Sequence, residues 1–571
     1  MHRALAIPEL QLLILNHIVD VSFEDGSRTL TVPEHSLLSY GLCCKLFWEA
    51  AYPVLWREPS SLECLIKTFP TTLWTDELPE NADQANFWDQ NISTGSNSRK
   101  QINFSRRMVE DDWTRFDLYS QCVQKLTVFE EVPDAGPWSE EVPRIHANVF
   151  AWMSRSRHPS TWFPRLADIV VPQGWLCDII YLRNLFNNSL VFLTVESVGV
   201  SGINLDMDPD DTDGIEEQGD QTLAMLENFL EGLCWLAPNI KCLDFMATSA
   251  HLQQLQSQMI TLVQTHELTS LGISPALLED EKLIFVLEKS PLKFLNCCVS
   301  SSQSWLNVAH HVGPLFQNLT NLAMKIPRLK DAVEILVHLA SRFSLSRLRI
   351  DLDFTWNVEC AAPTNAELLL LFDALVTSKG QGRLRGFVLS GMADPPEDFV
   401  ASDHEQARLR ASVVDFLACH SQLITLRLEM IALSLDKPFL ELIAPFLSRV
   451  QNLELIETCE NEDWEEPPQL LTLDDIVWLC FQCPDLENLT LEGVDLSRIP
   501  NPVERDRMPA LRCLGLGQLP LKESRVDQVV RYFDRTFPGF QACPLDHLFK
   551  WIVFVQKALT DTITPTSQPL L

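Results

Sequence analysis

Basic residues and long apolar runs are scarce in this chain. It has 44 Lys and Arg against 77 Asp and Glu, a net charge of −33 over 571 residues. That negative surplus repels phosphate groups and anionic membrane surfaces, so we expect neither nucleic acid nor a membrane as partner. No apolar stretch reaches the roughly 18–20 residues that span a bilayer. A basic protein is the partner that this charge favours.

Glycine and cysteine are too few for two other classes of protein. Gly and Pro, 20 and 34 residues, fall short of a collagenous or low-complexity chain. The 16 cysteines are too sparse for a disulfide scaffold, so we expect a reducing compartment, cytoplasmic, nuclear or both. The initial stretch MHRALAIPELQLLILNHIVD contains Glu9 and no cleavage site follows, which favours an amphipathic helix over a signal peptide.

One short pattern, apolar-x-x-apolar-x-apolar, recurs along the sequence. We find thirteen candidate copies, and seven of the twelve gaps between them measure 24–28 residues. Alternate apolar positions place two side chains on one face of a short strand, and helical periodicity fills the intervals. This period is typical of leucine-rich repeats. The clearest copies are LITLRL, VQNLEL, LENLTL and LRCLGL, which begin at Leu423, Val450, Leu486 and Leu511.

The predicted fold class is therefore α/β, with a curved parallel sheet and outer helices from Val123 to Leu516. A doubly wound α/β fold is the alternative, but no G-x-G-x-x-G follows a strand and the x positions are polar. The predicted divisions are an N-terminal helical module over residues 1–70, a flexible linker over 71–105, a leucine-rich-repeat domain over 106–560 with an acidic insertion at 206–220, and a tail over 561–571.

Two helices with apolar faces are predicted in the N-terminal module. Pro8 suits the first turn of the first helix, and Leu10, Leu13, Ile14 and Ile18 follow on one face. The second helix begins at Leu37, and Pro53 should end or break it. Its apolar face consists of Leu38, Leu42, Cys43 and Leu46.

An insert over residues 19–36 separates the two helices. Its sequence alternates apolar and polar residues around Asp25-Gly26, a favoured two-residue turn. We therefore predict a hairpin that pairs Val21 with Leu30, and Val19 with Val32.

The segments IPELQLLILNHI, LLSYGLCCKLFWEAA and VLW, within residues 4–60, resemble an F-box of the form common in fungal F-box proteins. The stretch EDDWTRFDLYSQCVQKLTV resembles the region that follows the box in that group. The resemblance implies docking on the adaptor that joins F-boxes to the cullin of an SCF-type ubiquitin ligase, with the repeats holding the protein to be ubiquitinated. The implied adaptor-binding residues are Ile7, Pro8, Leu10, Leu13, Ile14, Leu38, Leu42, Cys43 and Trp56.

Catalytic and metal-binding patterns are weak. Cys480 and Cys483 form a C-x-x-C without a second ligand pair, and the acids of 206–220 do not match an EF-hand register. His310 and His311 are adjacent on a predicted helix, so their side chains point about 100° apart and cannot readily bind the same metal ion. We therefore expect no enzyme, no catalytic residue, no metal and no cofactor.

Two alternatives stay open from the sequence. One is an acidic repeat protein that sequesters a basic partner without any ligase role; the other is an enzyme, which has only the C-x-x-C in its favour. The acidic segments 206–220 and 457–466 are read either as solvated insertions or as elements that steer a Lys/Arg-rich substrate.

Overall fold

A computed structural model shows two compact units, residues 1–291 and 292–571, which are described in turn. The structure describes residues 11, 14–15, 20–24, 27–31, 34–77, 101–128, 144–145, 147–171, 182–198, 213–247, 255–313, 315–339, 345–352, 363–376, 382–391, 403–429, 435–456, 471–491, 494–495, 511, 513–516 and 532. The acidic segment 457–466 and the predicted tail 561–571 lie outside these residues. Within them, no helix combines the length and the apolar character needed to cross a membrane.

The insert of the first unit contains an antiparallel pair, β1 (Asp20–Glu24) and β2 (Ser27–Thr31). Its register places Val21 opposite Leu30, the pairing that the sequence predicts. Val19 and Val32 lie outside the described residues.

The single helix predicted from Leu37 is in fact two helices, α1 (Glu34–Leu42) and α2 (Lys45–Leu55). The break lies at Cys44, whose backbone is extended at the start of α2. Pro53 lies inside α2, two residues before its end, so it does not itself end the helix. The small core of this module comprises Leu15, Leu37 and Ala51, with Tyr40, Ala50, Val54 and Leu55 packed against it.

Both ends of the predicted linker 71–105 are paired strands. β3 (Trp74–Glu77) runs antiparallel to β4 (Gln101–Phe104), and β6 (Arg144–Ile145) runs parallel to β4. Burial of Ile102 and edge-on packing of Phe104 against Phe69 hold these ends in place. A flexible linker is therefore wrong for residues 74–77 and 101–104, while residues 78–100 lie outside the description.

Aromatic side chains hold the helices that follow. These are α3 (Leu62–Ile66), α4 (Trp113–Ser120) and α5 (Ala147–Ser156). Phe69 stacks on Phe116 with ring centroids 4.7 Å apart and meets Trp113 edge-on. The Arg157 guanidinium lies 4.7 Å from the Trp113 ring and donates to Asp117, so it ties the end of α5 to α4.

Five parallel strands complete the first unit in chain order. They are β5 (Lys125–Thr127), β7 (Asp168–Val171), β8 (Phe192–Val198), β9 (Cys242–Ala247) and β10 (Ser270–Ile273). The helices among and after them are α6 (Asp213–Leu236), α7 (Gln256–Thr265), α8 (Pro275–Leu278) and α9 (Glu281–Glu288).

The predicted acidic insertion 206–220 overlaps α6, because residues 213–220 form the start of that helix. Leu226, Phe229, Leu230 and Leu233 are buried farther along α6, and this packing supports the long helix. Residues 206–212 lie outside the described part.

Eight parallel strands make the sheet of the second unit, again in chain order. They are β11 (Phe294–Cys298), β12 (Asn321–Ile326), β13 (Arg347–Leu352), β14 (Gly386–Ser390), β15 (Thr425–Glu429), β16 (Asn452–Ile456), β18 (Asn488–Leu491) and β20 (Cys513–Leu516). A separate short pair is formed by β17 (Leu471–Thr472) and β19 (Val494–Asp495). The helices are α10 (Gln303–Val312), α11 (Leu329–His338), α12 (Asn365–Leu375), α13 (Asp403–Cys419), α14 (Lys437–Ile443) and α15 (Leu473–Gln482).

Each repeat copy gives one of these thirteen strands, and each strand begins two residues after the first apolar position of its copy. Burial alternates along the strands, as at Leu322, Met324 and Ile326 of β12. Successive strands are also joined where they begin: the N–H of Arg347 donates to the Thr320 carbonyl, and that of Thr425 to the Arg385 carbonyl. The α/β class and the parallel strand arrangement with intervening helices are confirmed.

Two glycines of the second unit adopt a left-handed backbone, and only one of them is crowded. Gly391 has φ of 81°, and a Cβ there would collide with the Leu352 carbonyl oxygen. Gly313, which follows α10, has φ of 87° and open space around the same position.

We expect Gly391→Ala to lower the free energy of unfolding by about 2–4 kcal/mol, because backbone strain adds to the steric clash. Gly313→Ala, the matched control, should cost only about 1–2 kcal/mol from the backbone alone. Urea denaturation of both variants measures the difference. Equal losses would show that the contact with Leu352 can relax freely.

His420 is buried at the end of α13. Its Nε2 donates to the Leu375 carbonyl oxygen over 3.1 Å, while Nδ1 has no hydrogen-bond partner among the described residues. Burial lowers the pKa of His420, because a proton on Nδ1 would be a buried donor without an acceptor.

The unfolded chain therefore binds this proton more readily than the folded chain. Stability should fall as the pH drops below the unfolded histidine value of about 6.5, and it should be unaffected by His420 above that pH. In His420→Gln, thermal melts between pH 5 and 7 should show a shallower pH dependence than in the parent. Exposed His311→Gln is the control and should leave the slope unchanged.

Candidate functional site

An exposed apolar stripe runs along the N-terminal helices. Leu38 is 42% exposed, Leu42 72% and Leu46 36%, and Cys43 is exposed beside them. Leu38 and Leu42 are one helical turn apart on α1, so they share a face, and Leu46 follows in the first turn of α2. These four residues are called the leucine stripe below. All four side chains lie on the surface of the module, outside its buried core.

The stripe is exposed because other side chains fill the space between the helices. Leu37 is fully buried, and the ring of Tyr40 stacks on that of Phe47 at 4.5 Å. Gly41 allows α1 to approach α2, since a Cβ at this position would lie 3.2 Å from the Trp48 ring. The described residues between α1 and α2 are therefore packed together, while the leucines of the stripe lie in solvent.

The other predicted adaptor-binding residues have different surroundings. Ile14 is partly buried. Trp56 is partly buried and stacks on Tyr119 of α4, with ring centroids 4.3 Å apart, so one face of its ring already has a partner within the chain. Ile7, Pro8, Leu10 and Leu13 lie outside the described residues. The structure thus brings Leu38, Leu42 and Cys43 together and leaves Trp56 packed on α4.

A second candidate surface is the sheet face that alternates with the buried leucines. In the second unit its charges compensate each other. Arg349 Nε lies 2.6 Å from Asp351 Oδ2, and Arg427 contacts Glu454 at 3.1 Å and Glu429 at 3.5 Å. These residues occupy the x positions of the repeat pattern. The pattern predicts polar residues at these positions but does not predict which of them form ion pairs.

The C-x-x-C pair belongs to the core. Cys480 lies within α15, Cys483 directly follows that helix, and both are buried. Burial raises the pKa of each thiol to about 12. A nucleophilic or metal-binding cysteine requires a thiolate, which this environment strongly disfavours.

The histidine pair that the sequence analysis considered and rejected as metal ligands is not part of a cluster either. His310 and His311 are exposed on α10, and the nearest ring to His310 is that of His338, 6.0 Å away between centroids. Within the described part of the chain, no three His, Cys, Asp or Glu side chains are grouped so that they could hold a metal ion.

Comparison with known proteins adds no relative: no family model matches this chain, and no curated protein matches it. The surfaces described above are therefore the basis for assigning a function.

Cysteine alkylation should separate the two environments. Under native conditions at pH 8, exposed Cys43 should be labelled by iodoacetamide, whereas Cys480 and Cys483 should react only after unfolding. Peptide mass spectrometry before and after denaturation measures both. Labelling of Cys480 at the rate of Cys43 would contradict a purely structural role for the pair.

Proposed function

We propose that this protein is a non-catalytic substrate receptor of an SCF-type cullin–RING ubiquitin ligase. The leucine stripe would dock on the adaptor that links F-boxes to the cullin, and the polar strand faces would hold the target protein. The observation that carries the proposal is the stripe itself, an exposed apolar surface on a small module whose described core consists of Leu15, Leu37 and Ala51.

The energetics favour a protein partner for this stripe. Fully burying a leucine side chain is worth about 1.5–3 kcal/mol relative to leaving it in water. Leu42 alone has most of its surface available, and Leu38 and Leu46 extend the same patch. Clustered exposed apolar residues of this kind are typical of interaction surfaces.

The repeated strands support the second half of the proposal. Parallel strands in chain order, each followed or preceded by a helix, are the arrangement of leucine-rich repeats, which the sequence resembles. Such repeats present one polar side chain after another along an extended face, and this suits recognition of a polypeptide. Ubiquitination of intracellular targets would place the protein in the cytoplasm, the nucleus or both.

A second candidate function is sequestration of a basic partner without ligase activity. The net charge of −33 favours it, since an acidic chain attracts basic proteins at long range. The two functions differ in whether an adaptor and a cullin co-purify with the chain. Affinity purification in the presence of a proteasome inhibitor, followed by mass spectrometry, makes that distinction and also identifies accumulated targets.

We expect Leu42→Asp to abolish capture of the adaptor. A carboxylate buried in an apolar interface without a partner costs several kcal/mol, which corresponds to a loss of about 100-fold or more in affinity. Because Leu42 is exposed in the free chain, the substitution should leave folding intact. Pull-down with purified adaptor–cullin complex measures the effect.

Trp235→Asp is the matched control, since Trp235 is an equally exposed apolar residue at the end of α6, outside the stripe. It should bind the adaptor as the parent does. Adaptor binding should also protect Cys43 from alkylation. Undiminished capture by Leu42→Asp would refute the docking role of the stripe.

A further inference from the structure

The sheet of the first unit has one buried face and one polar face. Leu126, Ile169, Leu193, Leu243 and Leu271 are buried and line the first face. The strand register sets the alternating residues of the other face in two rows. The first row is Lys125, Asp168, Phe192, Cys242 and Ser270, and the second is Thr127, Val170, Thr194, Asp244 and Gly272.

Phe192 lies in the middle of the first row and is 45% exposed. Its strand neighbours in that row are Asp168 on β7 and Cys242 on β9. An aromatic ring half in water, beside a carboxylate and with no ring partner among the described residues, offers its π-face to whatever binds this surface.

Asp244, in the second row, is the strand partner of Gly272 on β10, and its side chain lies over this glycine. A Cβ at Gly272 would collide with Asp244 Oδ1, so the glycine makes room for this carboxylate. Oδ1 is buried and has no hydrogen-bond partner among the described residues. Burial raises the pKa of Asp244, which means that the ionised form pays for desolvation without compensation.

Asp168, in the first row, is likewise largely buried. Burial raises its pKa to about 6, although Lys125 on β5 acts in the opposite direction. Among the described residues, no Lys or Arg nitrogen lies within 4.0 Å of either Asp168 or Asp244. The polar face of the second unit differs, because Arg349 and Arg427 there are paired with carboxylates. Lys125 is the cation of the two rows, and it forms no ion pair with Asp168 among the described residues.

We propose that Asp168, Phe192 and Asp244 form a binding surface for the lysine or arginine side chains of an extended partner segment. The carboxylates supply charge complementarity and the ring supplies a cation–π contact. Asp168 and Asp244 lie two strands apart, roughly 10 Å across the sheet, a distance that about three residues of an extended chain cover.

This inference deepens the proposed function, since it names basic segments as the substrate class held by the repeats. It rests on the strand faces being the ligand surface and is independent of adaptor docking at the leucine stripe. The two can therefore fail separately.

The test uses the full chain and a fluorescein-labelled peptide of alternating Lys and Ser, with a Gln–Ser peptide of equal length as the neutral probe. Fluorescence anisotropy at about 0.15 M salt limits long-range attraction by the remaining acidic surface. We expect Asp244→Asn to weaken binding of the Lys–Ser peptide about tenfold, as for loss of a partly buried charge partner. Phe192→Leu, which keeps an apolar side chain but removes the ring, should weaken it severalfold.

The matched control is Glu267→Gln, which removes the same charge from an exposed side chain that is paired with Lys241 and lies outside the strands. It should bind the peptide as the parent does. Asp244→Asn should in addition raise the thermal midpoint, because it removes an uncompensated charge. If Asp244→Asn is more stable than the parent but binds the peptide more weakly, Asp244 serves ligand binding and not the stability of the fold.

Equal binding by Asp244→Asn and the parent would overturn the proposal. So would an equal loss in Glu267→Gln, since the peptide would then sense only overall charge. Adaptor capture is measured on the same variants: retained capture with lost peptide binding supports the inference. Peptide binding that is lost on Asp244→Asn in a chain that captures no adaptor also supports it, while refuting the ligase role.

Discussion

Alternation along thirteen short strands is the constraint on which the structure depends. Every second side chain of each strand is buried against the helices, and a parallel neighbour in the same register continues the buried layer. The backbone fixes that register twice, by the ladder itself and, at strands such as β13 and β15, by hydrogen bonds from the first residue of the strand to the residue before the preceding strand. Because alternation has a period of two, burial of the leucines commits the intervening residues to the opposite face. The residues on that polar face can therefore differ from repeat to repeat without disturbing the core, and they can be used to bind a partner.

The polar face of the sheet differs in its charges between the two units. In the second unit the arginines are matched with carboxylates on the same or the next strand, so the face is nearly neutral within itself. In the first unit Asp168 and Asp244 are largely buried, and neither forms an ion pair with Lys or Arg among the described residues. The high negative charge of the whole chain had suggested a basic ligand anywhere on the surface. We propose that such a ligand binds the face of the first unit, where Asp244 Oδ1 is buried without a hydrogen-bond partner among the described residues.

The strands were predictable because their signal is local: two apolar residues at i and i+2 and a third upstream suffice, and all thirteen copies are strands. The break between α1 and α2 was missed, since Leu-Cys-Cys-Lys carries neither glycine nor proline to mark it. The ends of the 71–105 segment were missed because they are held by Phe69, whose contact with Phe104 is distant in sequence. The shared face of Leu38 and Leu42 followed from helical spacing, but their exposure did not, and the position of Asp244 depends on its neighbour across the sheet. Gly272 was the one available sign of that contact.

The hydrogen bonds at the start of each strand also bear on how the chain folds. At β13 and β15, for example, these bonds reach only to the adjacent repeat, a few tens of positions away in the sequence. Loop closure of that size costs little entropy, and any repeat can serve as the first template for its neighbour. Folding can accordingly spread outward from several starting points within a unit. A repeat that has left the ribosome can therefore pack on the repeat before it, while the rest of the unit is still being synthesised.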